Sequence, residues 1–375
     1  MKDFVGHRVK QKRWRGAGRL ATALHIVLFV GAVCSAEVLQ DAVAHAPKPQ
    51  PAPARWRGLI GEYGPDANIV YVLEKEGKLC VSFKRAEPQC LKELGRDAFR
   101  FAAGKIGDAA GGGASNVVFR RNRVRRAMQV KIEDVQYERR AIGPEDGATQ
   151  LHVKPVRPVA ELLKEARTAQ PPEETGEFLA SDLVELKKLD PTIKLDVRYA
   201  TTNNLFGTVF YSQPRAFLQR PAAEALVRIN RRLRGLGYGL LVHDGYRPWY
   251  VTKVFWDATP EDKKLFVADP AKGSRHNRGA AVDLTLYDLK TGRAVEMVAT
   301  YDETTGRSYP DYPGGTSLQR WHRDLLRTFM EADGFTVYEA EWWHFDYKDW
   351  QKFPIGNQPF EKIGLTASYS PSVGR

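Results

Sequence analysis

The chain has 375 residues, 43% hydrophobic and 27% charged, which leaves room for about two domains and excludes both a membrane bundle and a wholly disordered chain. Its formal net charge of +12 would suggest a nucleic-acid or membrane partner, but half of it comes from seven Lys and Arg against one Asp in the first twenty residues.

That basic stretch ends at Arg19, and an apolar run follows from Leu20 to Ala36. The order is that of an export signal, with Cys34 and Ala36 as the small residues before a cut between Ala36 and Glu37. The run is short for a membrane span, which favours removal over retention as an anchor. Trp14 splits Arg13 from Arg15, so there is no twin-arginine pair, and bulky Val33 argues against lipidation of Cys34. The mature chain is expected in the periplasm or cell envelope, without a stable membrane span. It keeps Cys80 and Cys90, an even pair compatible with one disulfide or with two buried thiols.

Residues 37–56 read as a linker, Pro/Ala-rich in Ala44 to Pro53 (AHAPKPQPAP). Residues 57–150 read as a small all-β domain. IVYVLEKEGKLCVSF carries two β-rich runs around the turn Glu76-Gly77-Lys78. A loop with Gly111 to Gly113 follows, then partly alternating strands through VVFRRNRVRRAMQV and AMQVKIEDVQYERR. Arg120, Arg121, Arg123, Arg125 and Arg126 read as the solvated face of a strand. Contact with anionic wall polymer, lipid headgroups or nucleic acid is the alternative, and no interleaved aromatics suggest base stacking.

Residues 151–177 form a Pro-rich connector with a short helix around Ala160 to Arg167. Residues 178–365 are mixed in pattern, which makes the chain α+β, and 366–375 form a tail. A strand is predicted from Ile193 to Tyr199. A helix follows over Pro221 to Leu236, with Leu226, Ile229, Leu233 and Leu236 on one face, Pro221 at its start and Gly237 at its end. GYGLLVHD reads as a buried strand, a helix starts after Pro248, another covers Leu318 to Ala332, and FTVYEAEWWHFDY is the last strand. There is no internal repeat.

Two segments carry the chemistry: Ser274-Arg-His276-Asn-Arg-Gly279-Ala-Ala-Val-Asp283 and Glu341-Trp-Trp-His344. A catalytic zinc takes two or three imidazoles with a carboxylate and leaves one position open. His276, Asp283 and His344 make such a trio. Glu341 and His344 are three apart, so an extended strand puts them on opposite faces, and both reach one ion only if the strand bulges. Glu341 is then placed as a general base, and Arg247, in Asp244-Gly-Tyr-Arg-Pro, as an oxyanion-stabilising cation. Taken singly, each residue is as consistent with packing, and Arg247 with a structural ion pair to Asp244 or Asp283.

Taken together, S-x-H-x-x-G-x-A-x-D, E-x-W-H and the upstream D-G-Y-R-P resemble the D-Ala-D-Ala dipeptidases of the vancomycin-resistance type, in the zinc D-Ala-D-Ala peptidase superfamily. The resemblance covers roughly residues 180–360 and includes Arg198-Tyr-Ala-Thr-Thr-Asn-Asn204, Leu-Thr-Leu-Tyr287 and Tyr301-Asp302. It implies a zinc metallopeptidase domain with a central, mainly antiparallel sheet flanked by helices. It implies one Zn2+ per chain on His276, Asp283 and His344, Glu341 as base and Arg247 at the transition state. Tyr199 and Asp302 would seat the substrate ammonium and Ser274 its carboxylate. The activity implied is hydrolysis of D-alanyl-D-alanine. The alternatives are a zinc D,D-carboxypeptidase on wall peptides, and a non-catalytic zinc-stabilised wall-binding module. Leu205 replaces the usual Phe, and Arg275 is a large cation beside the first ligand, which bears on substrate range. The N-terminal β domain lies outside this pattern. It resembles a lipocalin-like unit appended to some hydrolases and is a candidate for contacting cell-wall polymer; no nucleic acid is expected.

Overall fold

The computed structural model describes residues 47–101, 116–142 and 152–363. The export signal, the start of the linker, the Gly111–Gly113 loop and the C-terminal tail lie outside them. No helix of the described residues is long and apolar enough to cross a membrane.

The end of the expected linker is not extended: Ala54–Arg57 forms one helical turn, α1, because Trp56 turns inward and is buried. Eight strands follow: β1 (Gly61–Tyr63), β2 (Val70–Lys75), β3 (Lys78–Phe83), β4 (Gln89–Gly95), β5 (Ala98–Phe101), β6 (Asn116–Arg121), β7 (Ala127–Ile132) and β8 (Val135–Glu138). They pair in sequence order as an antiparallel meander. Tyr63 also pairs with Arg139, and the Gly64 amide donates to the Glu138 carbonyl at 2.7 Å. The sheet thereby closes into an up-and-down barrel, which satisfies the backbone groups of its first and last strands.

Period-2 alternation explains the composition of β2 and β3. Val70, Val72, Leu79 and Val81 point into the barrel with Phe99 and Phe119. Tyr71, Leu73 and Cys80 point the other way, into the core of the second domain. With both faces covered, these strands read as nearly continuous apolar runs. Cys80 stands opposite Cys90 across β3 and β4, and the two sulfurs are bonded. At the domain junction Glu74 accepts the Ser317 amide at 2.7 Å, and Arg320 donates to the Glu74 carbonyl at 2.7 Å.

Helix α2 (Val159–Thr168) falls within the expected 151–177 connector, and is followed by β9 (Leu183–Glu185), α3 (Leu186–Leu189) and β10 (Lys194–Leu195). The strand expected over Ile193 to Tyr199 stops early. Arg198 donates to Asp196 at 2.6 Å, and the chain tightens into a 3-10 turn over Arg198–Ala200 that buries Tyr199. Next come β11 (Phe217–Gln219), α4 (Arg220–Gly235), β12 (Tyr238–Asp244), α5 (Trp249–Ala258), β13 (Ala281–Asp288) and α6 (Ser317–Ala332). On α4, Leu226, Ile229 and Leu233 are buried and a proline opens the helix. The last predicted strand is in fact a hairpin, β14 (Phe335–Tyr338) and β15 (Glu341–Tyr347), because the chain folds back at Glu339-Ala340 to cover its own edge.

The central sheet has the order β10-β12-β13-β15-β14. Only β10 and β12 are parallel; the other pairings are antiparallel. This α+β arrangement buries β12, β13 and β15 side by side, and the chemistry-bearing residues sit at their ends.

Candidate active site

Strand register brings the first carboxylates and imidazole together. Asp244 on β12 is paired with Asp283 on β13, and Asp283 is paired with His344 on β15. The third donor, His276, comes from the turn before β13. Gly279 allows that turn: its φ is +65°, and a Cβ there would lie 2.4 Å from Leu183 Cδ2. Asn277 ties the turn down by donating to the Arg247 carbonyl and to Thr252, each at 2.8 Å.

His276 Nε2, His344 Nδ1 and Asp283 Oδ1 form a triangle with sides of 3.1, 3.0 and 3.3 Å. Donors held about 2.0–2.1 Å from a tetrahedral ion are about 3.3 Å apart, so the spacing fits a divalent metal. The tautomers fit as well. His276 Nδ1 lies 2.7 Å from the Gly245 carbonyl, and His344 Nε2 lies 3.0 Å from Asp346 Oδ1. Each contact takes the ring proton away from the triangle and leaves a lone pair facing it. Tyr301 donates to Asp283 Oδ2 at 3.0 Å, which orients the carboxylate. Three buried residues with these donors are what a metal site requires.

Burial disfavours charge on Asp283, yet positive charge on the His276 and His344 rings, when protonated, holds its carboxyl well below the usual range. Glu341 behaves in the opposite way. Burial, aided by nearby Asp283, pushes its carboxyl up to about 7, although His344 and Arg247 pull it down. A carboxyl near neutrality can both accept and return a proton. The bulge expected from the odd spacing is present: Val337 pairs with Phe345 but Tyr338 with Glu341, leaving Trp342 to His344 without partners on β14. Glu341 Oε2 consequently lies 3.8 Å from His344 Nδ1.

Arg247 is held by Asp244, with Nε and Nη2 each 2.8 Å from Oδ2. Asp244 is itself fixed by the Tyr211 hydroxyl at 2.8 Å and the Gly245 amide at 2.9 Å. The guanidinium also packs over the Tyr199 and Phe255 rings and lies 3.6 Å from Asp283. The structural ion pair and a role at the site therefore coexist: Asp244 aims a cation that still lines the cavity. Tyr199 donates its hydroxyl to both oxygens of Asp302, at 3.0 Å each. Burial, with Asp283 and Glu341 close by, holds the Asp302 carboxyl well above its usual range, so a cation beside it would be welcome. Ser274 accepts the His276 amide at 3.2 Å.

All eight residues singled out from the sequence line one cavity of about 340 Å³: Tyr199, Arg247, Ser274, His276, Asp283, Asp302, Glu341 and His344. Leu205 and Arg275 line it too. Arg275 reaches Asp346 at 3.3 Å and packs over Tyr338 and Trp350. Sequence reasoning missed Asp346, Tyr301 and Asn277 as supporting residues. Asp346 was findable: it follows His344 by two on a strand and so shares its face. Asn277 follows His276 directly and Tyr301 precedes Asp302, so both stood inside quoted segments, but only the fold shows that they support the ligands.

Comparison with known proteins agrees with this geometry. Residues 179–362 match the peptidase M15 family model, described as D-ala-D-ala dipeptidase. The chain is 33% identical over 175 residues to the D-alanyl-D-alanine dipeptidase of Escherichia coli K12, covering 47% of this chain and 89% of that protein. It is 35% identical over 175 residues to the enzyme of that name from Enterococcus faecalis V583, covering 42% and 87%. For that of Streptomyces coelicolor A3(2) the figures are 34% over 193 residues, 47% and 93%.

Proposed function

Because the chain belongs to the M15 D-Ala-D-Ala dipeptidase family, we propose that it hydrolyses the free dipeptide D-alanyl-D-alanine to two D-alanines, with a zinc ion held by His276, Asp283 and His344. Bound there, zinc supplies a Lewis acid that acidifies water and polarises the peptide carbonyl. Glu341 takes a proton from the attacking water and passes it to the nitrogen of the leaving D-alanine, a task suited to a buried carboxyl beside the metal donors. Arg247, aimed by Asp244, stabilises the negative charge that develops on the carbonyl oxygen. Asp302, oriented by Tyr199, holds the substrate ammonium, and Ser274 meets the carboxylate end.

The observation that carries the reading is the three-donor triangle with Glu341 beside it on the wall of one small cavity. The Asp302–Tyr199 pair favours a dipeptidase over a carboxypeptidase, because an enzyme trimming longer peptides needs an open groove where the amine would be held. For the N-terminal unit the lipocalin-like reading rests on its up-and-down order alone. Trp56, Tyr63, Phe99 and Phe119 fill its core, which suits a platform better than a ligand cup. We place the protein in the periplasm or cell envelope on its Leu20–Ala36 run.

The test is D-alanine release by the purified chain from D-alanyl-D-alanine and from its N-acetylated analogue, with and without chelator. The free dipeptide should be cleaved, the blocked one spared, and activity lost on chelation and restored by zinc. Glu341→Gln should bind zinc normally yet lose about a thousandfold in turnover. Equal cleavage of both substrates would replace this reading with the carboxypeptidase.

A further inference from the structure

Of the arginines of the β6–β7 region, Arg120 lies exposed on β6, but Arg123, Arg125 and Arg126 do not belong to a strand face. β6 ends at Arg121, and Asn122 to Arg126 make a turn. The turn is closed by the Asn122 amide on the Arg126 carbonyl at 2.8 Å. The Asn122 side chain accepts the Val124 and Arg126 amides at 3.1 and 3.0 Å. Arg125 adopts φ 64°, a conformation a turn would normally give to glycine or asparagine.

Arg121 is used internally. It donates to Asp97 at 2.8 Å, to the Arg125 carbonyl at 2.7 Å and to the Arg55 carbonyl at 2.8 Å. It thereby pins this turn to the β4–β5 turn and to α1. Between the three segments lies a cleft of about 530 Å³ whose lining includes Arg57, Arg96 and Arg125. These three, with Arg123, pair with no carboxylate of the described residues. The apex of the turn is apolar: Val124 is 75% exposed, and Leu94, beside the neighbouring turn, is 50% exposed.

We propose that this arginine-rimmed end of the barrel is a docking surface for an anionic lipid bilayer. Guanidinium groups would sit at the phosphates, with Val124 and Leu94 reaching just below them. Cations without a carboxylate partner among the described residues, set around exposed aliphatic side chains, are the pattern of an interfacial contact. The cleft lining has no aromatic ring on which a base or a sugar could stack, which disfavours nucleic acid and glycan. The described chain begins at Pro47, seven residues before the Ala54 that lines the cleft, and the sequence upstream holds the apolar Leu20–Ala36 run. Kept as an anchor, that run would hold this end of the barrel near the membrane; removed, it leaves docking to the two turns alone.

The test is amide hydrogen exchange on the full chain, which reads the two turns whatever the N-terminal run does. Vesicles of phosphatidylglycerol mixed with phosphatidylcholine should slow exchange over residues 94–97 and 122–126, and pure phosphatidylcholine should not. Each arginine removed should lower vesicle affinity at these turns about fivefold. The protection should therefore vanish in Arg96→Gln/Arg123→Gln/Arg125→Gln. It should also vanish in Val124→Asp, with dipeptidase activity in solution unchanged in both. Absence of protection on phosphatidylglycerol overturns the proposal. So does equal protection by inorganic phosphate or polyphosphate, which would mark a general anion site, and so does protection by purified peptidoglycan alone.

Discussion

Asp302→Asn separates recognition of the substrate amine from the chemistry. The substitution keeps shape and keeps an oxygen for the Tyr199 hydroxyl, now 3.0 Å from both carboxylate oxygens, but removes the charge. An ammonium about 3.5 Å from a carboxylate, at an effective dielectric of about 20, gains about 5 kcal/mol. The pairing also has to ionise a carboxyl that its surroundings hold well above the usual range, and an asparagine oxygen still accepts a hydrogen bond, so roughly half should be lost. A loss of about 2–3 kcal/mol is about 30- to 150-fold in kcat/KM for free D-alanyl-D-alanine. The loss should appear mainly in KM, since Asp302 contacts no reacting atom. The assay is D-alanine release under initial-rate conditions, run in parallel on the N-acetylated dipeptide. The variant should scarcely change the slow rate on the blocked substrate, so the ratio between the two falls. If both substrates lose activity equally, Asp302 supports the cavity wall and does not bind an amine.

Three further outcomes are expected. Asp346→Asn, which weakens the acceptor behind His344 Nε2, should lower zinc affinity about 10- to 100-fold by chelator competition while leaving the fold intact. Gly279→Ala should cost about 2–4 kcal/mol in denaturant unfolding, from the left-handed backbone and the contact with Leu183. Adding Leu183→Ala should relieve the contact, seen as a favourable coupling energy in the double-mutant cycle. His322 sits between the Tyr238 hydroxyl and the Glu296 carbonyl, and burial depresses its pKa to about 4. Its unfolded value is about 6.5, so the unfolded chain binds the extra proton and stability falls as pH drops below that value. Between pH 7 and pH 5 the loss is about 2 kcal/mol, and that part of the pH dependence should disappear in His322→Gln.

The sequence by itself picked out the residues that the fold gathers around the candidate site and most of the segments that form regular structure. His276, Asp283, Glu341 and His344 announce themselves because a metal centre needs rare donor types at close spacing. The α4 and α6 helices are legible because their apolar face repeats every turn. The odd spacing of Glu341 and His344 even required the bulge that β15 contains. Tertiary structure decided the rest. Whether Cys80 meets Cys90, how far the strand after Ile193 runs, and that Phe335 to Tyr347 folds back into a hairpin all depend on what packs alongside. So does the assembly of Asp244, Asp283 and His344 in one row, which is a matter of register between strands far apart in the chain. The arginines at and after the end of β6 show the limit most clearly: their alternation with apolar residues suits a strand face, and Arg120 does lie exposed on β6, yet Arg121 is drawn inward by Asp97 and two carbonyls, Arg123 sits in the turn, and Arg125 and Arg126 line an open cleft. Local pattern fixes what a side chain can do, because that is covalent chemistry; which partners it meets is set by contacts that only the folded chain makes.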